Sequence, residues 1–222
     1  MKKISSSFDT KKIVGIAMFA ALAYAVTFVF RIPVMFLTFD AKDAVITIAA
    51  LTYGPLSGVI ISFMVAFIEA ISISGTGIYG FIMNFASSAV FSSIAALVYK
   101  HKRDAAGAIV GLYTACVAMV AVMACLNIFV TPYYMGADMG TDAARAQVMQ
   151  LLPTVILPFN IAKALLNSSF AMLLYKPISV AMKKAKLVKG NGKLGVNRSS
   201  VIMLITALVT LFASAVIFFI LK

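Results

Sequence analysis

The 222-residue sequence has few of the residues with which soluble enzymes carry out chemistry. Charged residues make up only 12% of it, tryptophan is absent, and histidine occurs once. The single histidine, His101, lies in a basic loop, so a histidine-based metal site or catalytic triad has little to build on. The two cysteines, Cys116 and Cys125, lie in one apolar stretch at a separation of about 13 Å along a helix, which is too far for a disulfide. We expect them to be packing residues.

Long apolar runs are what the chain has in abundance. Apolar residues make up 63% of it, far more than in an ordinary soluble domain. A helix needs roughly 20 apolar residues to cross the hydrocarbon core of a bilayer, and the connections between the apolar runs are short. The composition therefore predicts an all-α integral membrane protein, a bundle of six helices with an additional transmembrane helix at its C-terminal end. It leaves no room for a separate soluble domain.

The net charge of +12 could suggest a nucleic-acid-binding protein, but the positions of the basic residues argue against one. Fourteen of the 19 lysines and arginines fall on one side of the membrane if the spans alternate. They are Lys2, Lys3, Lys11, Lys12, Lys100, Lys102, Arg103, Lys176, Lys183, Lys184, Lys186, Lys189, Lys193 and Arg198. Because Lys and Arg are enriched in cytoplasmic loops, this predicts a multi-pass protein with a cytoplasmic N-terminus, a lipid environment and no nucleic-acid partner.

Three units follow from the apolar runs and the helix-breaking residues. Residues 1–185 form the six-helix domain, residues 186–199 a basic cytoplasmic linker, and residues 200–222 the additional transmembrane helix. The predicted helices cover residues 13–30, 44–53, 56–72, 78–99, 105–130, 153–182 and 200–221. A cleaved signal peptide is the rival interpretation of the N-terminal run, but that run is long for one and lacks a clear cleavage site.

The connections carry their own signals. The first, about ten residues long, is too apolar for a plain solvated loop and leads to the short helix 44–53, which cannot cross upright. Ser74 to Gly77 is predicted as a tight turn, since glycine permits positive φ. In the polar connection before residue 153, we expect Asp142 to cap a short amphipathic helix that ends at Gln150.

Polar residues inside the apolar spans are few, and membrane helices bury such groups where a partner, a cavity or a ligand receives them. At 1.5 Å per residue, Glu69, Asn84, Asn127 and Asn160 lie at a similar depth in four helices, and Lys163 follows on the face of Asn160. One interpretation is a ligand pocket in the outer half of the bundle. Its candidate apolar walls are Tyr53, Phe63, Phe67, Tyr79, Phe81, Phe85 and Phe159.

A structural interpretation of the same residues stays open. In it, the asparagines, Asn167 included, make hydrogen bonds between helices, and Lys163 pairs with Glu69.

A second pattern, the small residues Ala17, Ala21 and Ala25 on the first helix, lets another helix approach closely. That helix could belong to the same chain or to another subunit.

With these residues in view, the chain resembles the substrate-binding (S) component of an energy-coupling factor (ECF) vitamin transporter, most closely the riboflavin-specific branch. The resemblance covers about residues 8–185 and includes the alanine ladder, the run Phe39 to Asp43 before a short helix, and Tyr53-Gly54-Pro55. It implies six helices, a first outer loop that acts as a lid and a vitamin pocket near the outer surface. It also implies that Ala17, Ala21 and Ala25 dock on a transmembrane coupling subunit. The helix 200–221 departs from this pattern.

The resemblance also implies which residues hold the ligand. Asn127 and the pair Asn160 and Lys163 match flavin-holding positions of riboflavin-binding members, and the turn from Thr76 through Tyr79 to Asn84 is similar as well. With Glu69, these residues form the predicted ligand-binding set. Riboflavin, and FMN as a further possibility, is the expected transported ligand, and no cofactor or metal is expected.

The leading hypothesis is a riboflavin-capture subunit with no catalytic activity, powered by partner ATP-binding subunits because the sequence has no Gly-x-x-x-x-Gly-Lys-Ser/Thr phosphate loop. One alternative is an S component for another vitamin. A second is a stand-alone secondary transporter that uses Glu69 and Lys163 for ion coupling. An intramembrane enzyme is poorly supplied with acids, bases and metal ligands.

Overall fold

The computed structural model describes residues 10–73, 75–135, 140–188 and 198–221. This part of the chain is almost entirely helical, as the apolar runs predict. Its helices are α1 Thr10–Val29, α2 Lys42–Tyr53, α3 Pro55–Ser72, α4 Gly77–His101, α5 Ala105–Phe129, α6 Thr131–Met135, α7 Thr141–Leu151, α8 Leu157–Lys184 and α9 Arg198–Leu221. Six helical segments in the described residues are long and apolar enough to cross a membrane, so the protein is a multi-pass membrane protein.

A two-stranded antiparallel hairpin replaces the irregular loop predicted between the first two helices. Strand β1, Arg31–Val34, pairs with β2, Leu37–Asp40, in a register that places Arg31 opposite Asp40 and Val34 opposite Leu37. The two strands differ in burial, since β1 is mostly exposed and three of the four β2 residues are buried. Strand β2 is therefore the one that packs on the bundle, and β1 lies on its outer side.

Helix α2 occupies the centre of the bundle. Its first nine residues, Lys42 to Ala50, are all buried, and it packs against α1, α3, α4 and α8. At 12 residues it is about 18 Å long, too short to cross upright, as predicted. It ends at Gly54, whose φ of 103° and ψ of 164° lie in a region open essentially to glycine, and Pro55 begins α3.

The connection between α5 and α8 is more ordered than predicted. The polar segment contains α6 and α7, and α7 continues through a π-helical turn, Leu152–Ile156, into α8. The expected cap by Asp142 is wrong: Gly140 occupies the N-cap position without a side-chain hydrogen bond, and Asp142 lies in the first turn. Gly77 adopts a φ of 53° at the predicted turn before α4, where Ser74 lies outside the described residues.

The two cysteines separate in burial. Cys116 is buried and its thiol lies 3.2 Å from the hydroxyl of Ser168, which confirms its packing role, whereas Cys125 is exposed on the outer face of α5. Both are free cysteines, as their spacing predicted.

The additional helix α9 packs along α8 and more lightly against α5. Most of the basic linker predicted before it lies outside the described residues, as do Lys2 and Lys3. At the end of the bundle where α9 begins, Arg103, Lys176 and Lys183 lie together with Ser199 around a shallow pocket. The described basic residues of the α4–α5 turn and of the α8 terminus thus share one end of the bundle, opposite the hairpin.

Candidate functional site

A cavity of about 270 Å³ lies beneath the hairpin, near the low end of the roughly 300–1,000 Å³ typical of ligand pockets. Polar and apolar residues of the hairpin, of seven helices and of the connection between α3 and α4 surround it. They are Thr27, Arg31, Phe36, Leu37, Thr38, Asp40, Lys42, Glu69, Ile73, Gly75, Thr76, Gly80, Met83, Asn84, Ser87, Met123, Tyr134, Phe159, Asn160 and Lys163. The hairpin supplies one wall, so that it covers the cavity as a lid does.

Four buried charged groups form two ion pairs on the cavity wall. Lys163 Nζ donates to Asp40 Oδ2 at 2.8 Å, and Lys42 Nζ contacts both Glu69 oxygens at 2.8 and 2.6 Å. A longer contact of 3.9 Å joins Lys42 to Asp40, and the hydroxyl of Thr27 donates to Glu69. The pair of Lys163 with Glu69 that the sequence suggested is therefore wrong. Both residues are paired, but with Asp40 and Lys42.

Each of the two pairs joins one carboxylate to one ammonium group, so the charges within each pair cancel. Burial raises the pKa of the Asp40 carboxyl, but the charges of Lys163 and Lys42 outweigh this effect and hold that pKa below its usual range. Asp40 lies at the end of β2, outside the six long spans. Its carboxylate is therefore kept ionised beside the cavity.

Two buried polar atoms on the cavity lining remain without a hydrogen-bond partner among the described residues. They are Asp40 Oδ1 and Ser87 Oγ. An unsatisfied buried acceptor or hydroxyl costs about 1–3 kcal/mol, so such atoms often mark where another molecule binds. The described residues contain no group of three His, Cys, Asp or Glu side chains placed to hold a metal ion.

Asn167 fixes the position of the hairpin relative to α8 and α2. Its Nδ2 donates to the carbonyl oxygens of Asp40 and Lys163, both at 3.0 Å, and its Oδ1 accepts from the backbone N–H of Ala44 at 2.9 Å. That N–H belongs to the first turn of α2, where backbone donors lack partners within the helix. One buried amide thus ties together β2, α2 and α8, three of the four segments that carry the ion pairs. Its predicted role, hydrogen bonding between segments, is confirmed.

Five of the seven predicted ligand-binding residues line the cavity, namely Glu69, Thr76, Asn84, Asn160 and Lys163. Asn127 is fully buried behind the lining: its Nδ2 donates to Met123 O, and its Oδ1 accepts from Thr131, whose hydroxyl accepts from Tyr134. Met123 and Tyr134 line the cavity, so Asn127 supports the wall. Tyr79, also outside the lining, stacks on Tyr133 with ring centroids 6.4 Å apart.

Most of the aromatic residues expected to form apolar walls lie elsewhere. Phe159 lines the cavity, whereas Phe63, half exposed, packs with Phe67, Phe81 and Phe85 on the outer surface of α3 and α4. Tyr53 lies at the far end of α2. It packs so closely on Gly15 of α1 that a Cβ there would come within 2.1 Å of its hydroxyl oxygen. The apolar walls are instead built by Phe36, Leu37, Met83 and Met123 with Phe159.

Sequence reasoning missed the charged residues Asp40 and Lys42 as part of the site, together with Arg31 at its rim. Arg31 lines the cavity and donates to the carbonyl of Ile73 at 3.3 Å. A signal was present, since Asp40, Lys42 and Asp43 form a charged run between apolar segments in a membrane protein. The run was placed at the end of the first outer connection and given no role in the site, although all three side chains are buried.

The alanine ladder lies on the outside of the bundle. Ala17, Ala21 and Ala25 are exposed along α1, whereas Gly15 and Ala20 are buried against the neighbouring helices. Internal packing of the ladder, one of the two interpretations left open, therefore applies to its buried neighbours and not to these three residues.

Comparison with known proteins identifies the family. A family model described as "ECF transporter, substrate-specific component" matches residues 11–175, about three quarters of the chain. The chain belongs to this family. The resemblance seen in the sequence is therefore confirmed, and the protein is an S component of a transporter and not an enzyme.

Relatives of this S component are transporters of one vitamin. It is 30% identical to the "Riboflavin transporter RibU" of Staphylococcus aureus (strain TCH60) over 179 residues, covering 79% of this chain and 94% of the relative. It is 26% identical to the "Riboflavin transporter FmnP" of Bacillus subtilis (strain 168) over 172 residues, covering 74% of this chain and 90% of the relative.

A solved structure of the S component of a bacterial ECF transporter has the same fold. It superposes with a TM-score of 0.65 at 29% identity, and 98% of that chain aligns with 78% of this one. The all-α membrane fold predicted from composition is thereby confirmed. Helix α9 lies beyond the residues that the family model matches, which explains why it departed from the pattern.

Proposed function

We propose that this S component is the riboflavin-binding subunit of an ECF uptake transporter in a bacterial plasma membrane. It captures the vitamin in the cavity beneath the hairpin and delivers it together with a shared transmembrane coupling subunit and ATP-binding subunits. The observation that carries the proposal is the lining of the cavity, in which buried hydrogen-bonding groups and apolar side chains surround one space. The two riboflavin transporters among its relatives support the same ligand.

The chemistry of riboflavin matches such a lining. The pyrimidine edge of the flavin alternates carbonyl acceptors with an N–H donor, which the amide of Asn160 or Asn84 can complement and the ammonium of Lys163 can reinforce. The dimethylbenzene edge requires apolar contact of the kind that Phe159 and Leu37 offer, and the ribityl hydroxyls require polar groups. Asp40 Oδ1 and Ser87 Oγ are free to pair with hydroxyl groups. The balanced charges of the two ion pairs suit a neutral ligand.

We assign direct ligand contact to the five predicted residues that line the cavity: Glu69, Thr76, Asn84, Asn160 and Lys163. Asn127 and Tyr79 lie behind the lining residues and support them. Asn127 holds the wall through Met123 and Tyr134, and Tyr79 packs at the same rim against Tyr133 and Tyr134. Arg31 at the rim is the cation available to the phosphate group of FMN, so FMN is included as a possible second ligand.

The docking face for the coupling subunit is the exposed ladder Ala17, Ala21 and Ala25 on α1. Small side chains allow a partner helix to approach closely in a membrane, where apolar burial gives little drive for association. The basic end of the bundle lies opposite the cavity. It faces the cytoplasm, because Lys and Arg are enriched on the cytoplasmic side of membrane proteins. This orientation places the N-terminus inside and opens the cavity toward the outside.

Quenching of flavin fluorescence on titration of the purified protein tests the ligand. We expect saturable binding of riboflavin below micromolar concentration, and no displacement of bound riboflavin by an excess of thiamine or biotin. Binding of FMN is measured in the same way, with the parent protein and with Arg31→Gln. If Arg31 contacts the phosphate, this variant should lower the affinity for FMN more than the affinity for riboflavin. Absence of riboflavin binding at micromolar concentration would refute the assignment, and binding of another vitamin would indicate a different S component.

A stand-alone secondary transporter that uses Glu69 and Lys163 is the second candidate. Buried ionisable residues in a membrane protein favour ion coupling in general. In this bundle, however, the two residues belong to separate ion pairs, with Lys42 and Asp40. Riboflavin uptake into liposomes that contain this protein without partner subunits would support that candidate.

A further inference from the structure

The C-terminal end of α9 packs against the hairpin that covers the cavity. The ring of Phe218 lies 5.3 Å from that of Phe39 on β2, measured between centroids. Phe39 in turn lies 5.7 Å from Phe159, which lines the cavity. These rings belong to one apolar cluster that also includes Leu37 of the hairpin and Ile217 of α9. A continuous row of rings therefore leads from the additional helix to the cavity wall.

Polar contacts inside the apolar spans fasten α9 to α8 and fix where its end lies. The hydroxyl of Ser214 donates to the carbonyl oxygen of Ala162 at 2.8 Å, one position before the cavity residue Lys163. One turn earlier on α9, the hydroxyls of Thr210 and Ser169 lie 2.6 Å apart. All three hydroxyl-bearing residues are buried. Because such groups are costly to leave unpaired in hydrocarbon, they hold α9 in one register along α8.

Residue Phe39 is well placed to transmit this support to the site. It immediately precedes Asp40, whose carboxylate pairs with Lys163, and it lies between Leu37 and Asp40 on the strand that forms the cavity wall. An isolated two-stranded hairpin is marginally stable at best, so its position depends on what it packs against. Of the two strands, β2 is the buried one, and Phe218, which does not line the cavity, packs on its Phe39.

We propose that α9 braces the hairpin, with Phe218 as a positioning residue that holds β2 closed over the cavity and slows ligand exchange. For riboflavin this inference rests on the proposed function, whereas the brace itself is a property of the protein alone. Phe218 makes no contact with the ligand and acts through Phe39. The helix outside the family match thereby has a role in this S component.

Hydrogen exchange of the backbone amides of residues 31–40, read by mass spectrometry without ligand, tests the brace directly. Phe218→Ala is compared with Phe212→Ala, which removes the same ring from the same helix where it is 72% exposed. In Phe218→Ala we expect the hairpin amides to exchange roughly fivefold faster or more, because an aromatic pair and its buried area are lost. In Phe212→Ala they should exchange at the rate of the parent protein. Equal rates in the two variants would overturn the proposal.

The amides of α2 report whether Phe218→Ala loosens the whole bundle. If they also exchange faster, Phe218→Leu, which retains apolar bulk, replaces Phe218→Ala in the comparison with Phe212→Ala. We expect its hairpin amides to exchange at a rate between those of the parent protein and Phe218→Ala. The riboflavin dissociation rate, from stopped-flow fluorescence, should rise in Phe218→Ala and not in Phe212→Ala. If the parent protein binds no riboflavin, the proposed function fails while the hairpin exchange rates still decide the brace. A dissociation rate equal in both variants refutes the role in ligand exchange.

Discussion

Lys163 and Asp40 are 123 positions apart in the sequence and form a buried ion pair of 2.8 Å at the wall of the cavity. Lys163 lies within the first two turns of the membrane-spanning helix α8, and Asp40 ends the strand that covers the cavity. The pair therefore connects the lid to the bundle. It also places an ammonium group where the flavin edge is proposed to bind.

Replacement of Lys163 by Met should destabilise the protein by about 3–5 kcal/mol, because it leaves the buried Asp40 carboxylate with only the distant Lys42. Adding Asp40→Asn should recover much of this loss, since the carboxylate that lost its hydrogen-bonded ammonium partner is then removed as well. Riboflavin binding should not recover, because the ammonium group is still missing. Denaturant unfolding in detergent micelles, combined with a binding titration, measures both quantities.

The exposed pair of Lys102 with Asp104, 3.6 Å apart, is the matched control. Lys102→Met should change the free energy of unfolding by less than about 1 kcal/mol, as expected for a solvated pair. Equal losses in Lys163→Met and Lys102→Met would show that the buried pair does not stabilise the lid.

Asn160 and Asn127 should differ in how they affect riboflavin affinity. Asn160→Ala removes a proposed direct hydrogen bond and should raise Kd roughly 10- to 100-fold. Asn127→Ala should act through Tyr134, by way of Thr131, so its effect should largely disappear in a Tyr134→Phe background. Fluorescence titration of the four variants, including the double variant, gives the coupling. An effect of Asn127→Ala that is undiminished in the Tyr134→Phe background would indicate that Asn127 contacts the ligand itself.

Gly54 should be intolerant of a side chain. Its φ of 103° and ψ of 164° at the turn between α2 and α3 should make Gly54→Ala destabilising by about 1–3 kcal/mol. Gly75→Ala is the comparison for unfolding, since no heavy atom lies within 4 Å of its added Cβ and its φ is not positive. Thermal unfolding of both variants in detergent measures the difference, and a neutral Gly54→Ala would contradict it.

Ala21→Leu should separate ligand capture from partner docking. Ala21 is exposed on α1 and does not line the cavity, so riboflavin affinity should stay unchanged while co-elution with the coupling subunit and ATP-binding subunits is lost. Ala121→Leu, at an exposed position on α5, is the control and should leave assembly intact. Assembly that survives Ala21→Leu would place the docking face elsewhere.

The sequence alone determined the class of fold and most of the helix bounds. Apolar runs of about the length of a bilayer, ended by Gly54-Pro55, by the Gly77 turn and by the basic turn after α4, can form little other than spanning helices. The rarity of polar residues in those runs also pointed to Glu69, Asn84, Asn160 and Lys163, because burying such groups in hydrocarbon is costly unless they converge. These four residues do surround one cavity.

Only the tertiary structure decided how those groups pair and what covers them. Depth along a helix gives the level of a side chain but not its partner, so the sequence suggested a pair of Lys163 with Glu69. In the structure, the segment with Asp40 and Lys42 is buried in the bundle and supplies the partners of both residues. The row of rings from Phe218 through Phe39 to Phe159 joins three distant segments. Such contacts depend on the packing of whole helices, which the periodicity of any one segment does not contain.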